Sequence, residues 1–196
     1  MKPILLDLPM PILTPRLMLR PRQVGEGTVI AKAVKESLAH LKPWMPFAHE
    51  EVSPEKMEEH CRRALANFIL REDCTLSIYD REGKTFIGST GLHRANWNVP
   101  SFHIGYWLHK NAEGKGYVSE STNALTRYAF KVLGARRVEI RCDSKNTRSL
   151  AVMQKLGFEQ EGLFRKDELD CNDVLRDTII TARTDIKGLP ALKVEW

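Results

Sequence analysis

The chain has 196 residues, 42% of them hydrophobic and 28% charged, with a mean hydropathy of −0.34. This is the mixture of a globular chain about one domain long, which excludes disorder and collagen-like repeats, and no run approaches the roughly 20 apolar residues of a spanning helix. With 30 Lys and Arg against 25 Asp and Glu the net charge is +5 and the pI near 9.1, which suits an anionic partner such as a phosphorylated cofactor, while the dispersed excess argues against a nucleic-acid arm.

Met1 to Met10 carries one lysine and is broken by Pro3 and Pro9 around Asp7, so it does not read as a secretion signal; a cytoplasmic location without membrane association is expected. Ile12 to Pro21 reads as one strand bounded by prolines, with Leu17 and Leu19 on one face and Arg16, Met18 and Arg20 on the other. Val29, Ile30, Ala33, Val34, Leu38 and Leu41 recur at helical spacing until Pro43 closes the helix, and the loop that follows exposes Trp44 and Phe47. Ser53-Pro54 opens a second helix, a cap followed by a first-turn proline, with Met57, Cys61, Ala64, Leu65 and Phe68 on its apolar face.

The pattern then switches to period two. Leu76 and Ile78 mark one strand, Thr85 to Leu92 a second, and Phe102, Ile104, Tyr106 and Leu108 a third. A glycine-bearing loop, Asn111 to Tyr117, leads into a helix whose face is Ala124, Leu125, Tyr128, Ala129, Val132 and Leu133. Val138, Ile140 and Cys142 make another alternating strand, and a short helix from about Thr147 to Leu156 stops at Gly157. Strand-like runs at Gly162 to Leu169 and Val174 to Arg183 follow, so that residues 1–186 form one domain and 187–196 a tail. Strands and helices in this order predict an α+β domain with one central mixed sheet. The four cysteines show neither a C-x-x-C pair nor a zinc-type grouping, and read as free thiols packed like small hydrophobes.

The segment Asn111-Ala112-Glu113-Gly114-Lys115-Gly116-Tyr117-Val118 leaves a strand, turns on two glycines and starts a helix. Unpaired N–H groups of a helix's first turn, with the positive end of the dipole behind them, suit a phosphate. It is not a Walker loop, because Gly116 follows Lys115 where Ser or Thr is needed. Nor is it a dinucleotide fingerprint, whose third glycine would fall at Ser119. Alone it reads equally well as a plain strand-to-helix turn.

Downstream, Asn146-Thr147-Arg148-Ser149 leads into Leu156-Gly157-Phe158. The two segments together resemble the GCN5-related N-acetyltransferase (GNAT) superfamily, in which an Arg/Gln-x-x-Gly-x-Gly/Ala loop and an Asn-x-x-Ser helix ending in Gly-Phe bind acetyl-CoA. Leu13 to Arg20, Lys42-Pro43-Trp44-Met45 and Gly105-Tyr106-Trp107-Leu108 are similar to its ribosomal-protein acetyltransferase (Rim) branch, and the likeness runs from Ile12 to Arg183. The chain departs from the loop pattern at Asn111, where the family has Arg or Gln.

The resemblance implies an acyl-CoA N-acyltransferase-like fold: a mixed, twisted sheet with helices on both faces, splayed between Ile104–Leu108 and Val138–Cys142 to admit acetyl-CoA, with no metal. It implies cofactor contacts from Trp107, Leu108, Glu113, Gly114, Lys115, Gly116, Tyr117, Val118, Asn146 and Ser149. It gives Glu168 as general base and Ser149 as the acid, or hydrogen-bond donor, for the departing thiolate. Trp44 and Trp97 are candidates for the acceptor side, though aromatic residues are as often ordinary packing. The plainer alternatives are a surface carboxylate for Glu168 and a first-turn helix serine for Ser149. The acceptor expected is the N-terminal α-amine of a protein or peptide, of the ribosomal-protein type. An α-amine of pKa about 8 is about one-tenth neutral at pH 7, whereas a lysine amine is neutral in roughly one molecule in 2,500 and needs roughly 3 kcal/mol more help. A small amine, an aminoacyl conjugate or an antibiotic is the alternative acceptor, and a CoA-binding module without turnover a further one. A homodimer is compatible with the sequence; a nucleic-acid partner is not expected, since no face joins Lys and Arg to stacking aromatics.

Overall fold

The computed structural model describes residues 2–196; residue 1 of the N-terminal stretch lies outside them. Its elements run β1 (Ile12–Leu13), β2 (Leu17–Pro21), α1 (Gly27–Leu41), α2 (Pro54–Leu70), β3 (Cys74–Asp80), β4 (Phe86–Asn96) and β5 (Ser101–Leu108). They continue with α3 (Tyr117–Lys131), β6 (Arg137–Asp143), α4 (Thr147–Lys155), β7 (Glu159–Leu169) and β8 (Leu175–Arg183). The strands form one eight-stranded sheet in the order β1-β2-β3-β4-β5-β6-β8-β7. Every neighbouring pair is antiparallel except β5 and β6.

The expected first strand is two. Pro15 has no N–H to give a ladder, and Thr14 closes a turn there. Its N–H donates to the Leu17 carbonyl at 2.9 Å and its Oγ1 accepts from the Leu17 N–H at 2.9 Å. The strand expected at Thr85 to Leu92 is also longer at its far end, running to Asn96 because β4 keeps pairing with β5 past Leu92. The second helix opens where its cap predicts, with Ser53 Oγ accepting from the Lys56 N–H at 3.2 Å.

Two cores back the sheet. Ile30, Ala33, Val34 and Leu41 of α1 and Cys61 of α2 pack with Tyr79 and Phe86 on one face. Leu125, Tyr128 and Ala129 of α3 and Met153 of α4 pack with Phe102, Ile104, Val138, Ile140 and Cys142 on the other. Gly27 lets α1 meet α2 closely, since a Cβ there would lie 2.5 Å from the Pro54 carbonyl oxygen. Residues 187–196 lie against the second core. The Leu13 N–H and Glu195 N–H exchange hydrogen bonds with each other's carbonyls at 2.7 and 2.9 Å, and the Trp196 ring meets Tyr128 edge-on at 5.8 Å.

The feature that positions the site is the middle of the sheet. β5 and β6 pair at only three positions, Ser101↔Arg137, Phe102↔Val138 and His103↔Glu139. Beyond His103 each strand follows its other neighbour, β5 with β4 to Leu108 and β6 with β8 to Asp143. The sheet therefore splits toward its C-terminal end, leaving two strand edges unpaired with each other.

Candidate functional site

A cleft of roughly 790 Å³ fills this split. One wall is the loop before α3. Gly114 and Gly116 sit at φ +72° and +78°, the left-handed region in which glycine carries no Cβ penalty. They turn the chain so that the backbone N–H groups of residues 114–119 have no acceptor in the chain, among the described residues. The loop is held from outside. Arg16 donates to the Lys115 carbonyl at 2.9 Å and to Glu120 at 2.6 Å, and its guanidinium lies 4.7 Å over the Tyr117 ring. Nothing in the Arg16 sequence context marked it as the strut of this loop; only the fold brings β2 against α3.

The opposite wall is α4. Asn146 caps it, with Oδ1 accepting from the Ser149 N–H at 3.1 Å, which leaves Nδ2 as its free donor toward the cleft. Ser149 is 8% exposed and shares a 2.7 Å hydrogen bond with the Tyr106 hydroxyl from β5. Burial pushes the Tyr106 phenol up to about 12, against the pull of that hydrogen bond, so it stays protonated at neutral pH. Burial likewise pushes the neighbouring Cys142 thiol up to about 11. It is a poor nucleophile, which favours direct transfer across the cleft over a covalent relay through this cysteine. The Tyr106 and Cys142 side chains carry no role in the sequence beyond their strands; no local pattern shows that they meet Ser149.

The mouth of the cleft is charged and aromatic. Arg148 pairs with Glu113 at 2.5 Å across it, and His40 Nε2 donates to the Leu108 carbonyl at 3.0 Å. Trp107 stands between Phe47 and Phe86, at 5.9 and 5.8 Å, with Trp44 and Met45 beside it in the lining.

Along β6, Val138, Ile140 and Cys142 enter the core under α3 and α4, so Arg137, Glu139, Arg141 and Asp143 share the other face. α1 and α2 pack against β2, β3 and β4 instead, and β7 at the far edge is exposed over nearly its whole length. On this face Glu139, 7% exposed, takes Arg137 at 2.7 Å, Arg141, and His103 at 3.4 Å. Burial pushes His103 below the usual imidazole value despite that carboxylate.

The expected site residues Trp44, Trp107, Leu108, Glu113, Gly114, Gly116, Tyr117, Val118, Asn146 and Ser149 all line the cleft. Three expected residues do not. Lys115 points its side chain to solvent between the two lining glycines. Trp97 packs edge-on against Phe102 at 5.2 Å and donates its indole N–H to the Arg71 carbonyl at 2.9 Å, which fixes it in the packing of the β4–β5 turn. Glu168 is exposed on β7 and forms an ion pair with Arg176, its cross-strand partner on β8. Arg176 itself lines the cleft. Among the described residues no group of three or more His, Cys, Asp or Glu side chains is placed to hold a metal ion, and no helix is long and apolar enough to cross a membrane.

Residues 16–159 match the profile of the acetyltransferase (GNAT) domain family. The chain is 30% identical over 171 residues to YdaF of Bacillus subtilis (strain 168), whose name places it provisionally among ribosomal N-acetyltransferases, covering 85% of this chain and 86% of that one. It is 28% identical over 183 residues to the ribosomal protein uS5-alanine N-acetyltransferase of Escherichia coli (strain K12), covering 87% and 89%. Matches to two other Bacillus N-acetyltransferases, p20 and YnaD, span only 52% and 39% of those proteins. Among solved structures, the ribosomal L7/L12 alpha-N-protein acetyltransferase RimL in complex with coenzyme A superposes with a TM-score of 0.83 at 22% identity, covering 91% of this chain and 98% of that one.

Proposed function

We propose, for a chain that belongs to the acetyltransferase (GNAT) family, that it moves acetyl from acetyl-CoA to the N-terminal α-amine of a protein or peptide, on a ribosomal protein in particular. The observation that carries the cofactor half is the run of free N–H groups at residues 114–119 on one wall of a cleft in a split sheet. Those groups, with the α3 dipole behind them, would hold the pyrophosphate. Nδ2 of Asn146 and the freed edge of β5 around Tyr106 to Leu108 would hold the pantetheine arm. The acceptor half leans on relatives whose names give ribosomal-protein termini as acceptors.

When bound, acetyl-CoA supplies an already activated thioester. The protein's own work is to hold and orient. Either hydroxyl can donate in the Tyr106–Ser149 hydrogen bond; with Tyr106, protonated at neutral pH, as the donor, the serine hydrogen would be free to point at the sulfur. An alkyl thiol has a pKa near about 8.5, so the departing thiolate needs a hydrogen bond more than a full proton. A backbone N–H of β5 facing the thioester oxygen would act as an oxyanion donor. Glu168 is the base implied by family resemblance, and its link to the cleft runs through Arg176. An α-amine, already partly neutral at pH 7, asks only for a weak base or a water.

The test is thiol release from acetyl-CoA with a panel of free-N-terminus peptides, N-blocked lysine peptides and small amines. Peptides with a free α-amine are expected to turn over fastest. Release with small amines alone would move the acceptor to that class, and binding of acetyl-CoA with no release from any amine would make the protein a CoA-binding module.

A further inference from the structure

An acceptor amine arrives largely as an ammonium and must lose a proton before it can attack. Glu168 is exposed and already paired with Arg176. A second candidate for that proton lies on the open face of β4 and β5. Leu92 of β4 and Ile104 of β5 enter the core under α3, so Gly91, His93, His103 and Gly105 share the opposite face with Trp107. There Gly91 stands opposite Gly105, and His93 opposite His103. The two glycines leave a bare patch of sheet, and the His93 ring lies over it. A Cβ on Gly91 would fall 2.7 Å from His93 Cε1 and 2.8 Å from Nε2, and one on Gly105 would fall 3.2 Å from Cδ2 and 3.3 Å from Nε2. The ring thus leans toward Gly105, which lines the cleft and lies beyond His103, the last β5 residue paired with β6.

One nitrogen holds the ring and the other is left over. Nδ1–H donates to Asp73 Oδ2 at 2.7 Å, and Asp73 Oδ1 accepts from Thr75 Oγ1 at 2.7 Å. Burial pushes the Asp73 carboxyl up, but the hydrogen bonds from His93 and Thr75 outweigh it and hold the group below its usual range, ionised at neutral pH. A carboxylate on Nδ1–H fixes the tautomer, so Nε2 of the neutral ring carries a lone pair. Among the described residues Nε2 has no hydrogen-bond partner, and the side chain is 33% exposed. The charges around the ring are Asp73 from the turn after α2, Arg22, bonded to Ser89 on the same face, Arg94 beside it on β4, and His103 with Glu139 behind it. His103 is differently placed, its Nε2 turned to Glu139 at 3.4 Å.

We propose that His93 is the base of the transfer: its Nε2 takes a proton from the acceptor's ammonium at the Gly105 edge of the cleft. Asp73 is a positioning residue, holding the ring over the two glycines and balancing the imidazolium that forms. An N–H bond of the ammonium breaks and its proton passes to Nε2. The freed electron pair bonds to the thioester carbon, and the C–S bond breaks with its pair left on sulfur. The second surplus proton of the new amide neutralises that thiolate, and the imidazolium returns its own to water. Imidazole changes charge near neutral pH, a strength that suits an α-amine of pKa about 8 better than a lysine amine of about 10.4. The inference rests on the acetyl-transfer reading and names the proton acceptor of that same site.

The test is thiol release with a free-N-terminus peptide, with acetyl-CoA affinity followed by calorimetry. His93→Gln is expected to lower kcat about a hundredfold at pH 7, with acetyl-CoA affinity within about threefold of wild type. Its residual rate is expected to climb close to tenfold per pH unit below about pH 8, as the neutral fraction of the amine does, where the wild-type rate levels off earlier. His93→Ala leaves the space over Gly105 open, and added imidazole is expected to restore its rate about tenfold; this variant serves equally should the glutamine variant fail to fold. Asp73→Asn is expected to lower kcat about tenfold without changing KM for the peptide, and to cost nothing further in the His93→Gln background, because the two act as a unit. A His93→Gln kcat within about threefold of wild type, a loss that neither pH nor imidazole relieves, or a larger loss in Glu168→Gln overturns the proposal while leaving acetyl transfer intact. Failure of the wild type to bind acetyl-CoA overturns both readings.

Discussion

The two sides of the split sheet are built from different materials. On the side proposed for the cofactor the working groups are backbone N–H groups, aimed by glycines and a helix start within residues 114–119 and faced across the cleft by a nine-residue capped helix. On the side proposed for the acceptor they are side chains from α1, the loop after it, β5, β6 and β8, gathered from positions as distant as Trp44 and Arg176. A site made of backbone leaves its signature in consecutive residues. A site made of converging side chains is written in strand register, which no short window of sequence contains.

The sharpest way to break this contrast is at Gly116. A valine there must either hold φ near +78°, forbidden to a β-branched residue, or rotate the N–H groups away from the cleft. Arg16 Nη2 would lie 3.6 Å from the new Cβ, so crowding is not the obstacle; conformation is. Roughly 2 kcal/mol of strain, about thirtyfold in acetyl-CoA affinity, is expected for Gly116→Val. Titration calorimetry showing affinity within twofold of wild type would mean the loop does not bind through its backbone.

Next in size are the residues that meet across the cleft. Ser149→Ala removes the hydrogen bond proposed to reach the developing thiolate and is expected to lower turnover about tenfold. Tyr106→Phe removes only the support of that serine and is expected to cost about threefold. Both should keep acetyl-CoA affinity, so the split between binding and turnover sharpens the contrast between the walls. Equal and large losses of affinity in both would instead make this pair part of the cofactor grip.

The same contrast accounts for what could be read in advance. Strand alternation from Phe102 to Leu108 and from Val138 to Cys142, and the helix bounded by Asn146 and Gly157, are period and punctuation signals; the elements follow them. The split between β5 and β6 was legible through the family resemblance of the two motifs beside it. Trp97 stayed open between acceptor side and packing because an indole beside a strand looks the same whether it faces a cleft or, as here, Phe102 and the Arg71 carbonyl. Arg16 and Arg176 were invisible for the opposite reason: each sits in an ordinary strand context, and only the β2–α3 contact and the β7–β8 register give it a partner.

A region remote from both walls supplies the control. Ser53→Ala deletes the cap of α2 and is expected to cost about 1 kcal/mol of stability, read as a lower Tm, with acetyl-CoA affinity and turnover unchanged. A change in either would show that α2, packed against the first core, is coupled to the cleft.

The smallest effect expected concerns the charged face that continues from the acceptor side. Burial pushes the Glu139 carboxyl up, but hydrogen bonds from Arg137 and Arg141 outweigh it and hold the group below its usual range. A carboxylate lowered in the folded state contributes stability that is present above its unfolded value, near about 4.3, and is lost as pH falls through the folded value. Wild type should therefore lose part of its stability on the acid side that Glu139→Gln does not have to lose. The variant is expected to have a lower Tm at pH 7, because Arg141 loses its ion-pair partner and Arg137 keeps only Glu161, and a smaller further drop between pH 7 and pH 4. Parallel Tm profiles would mean that Glu161 suffices for Arg137 and water for Arg141, and that this face is held together by the β6–β8 ladder rather than by the buried carboxylate at its centre.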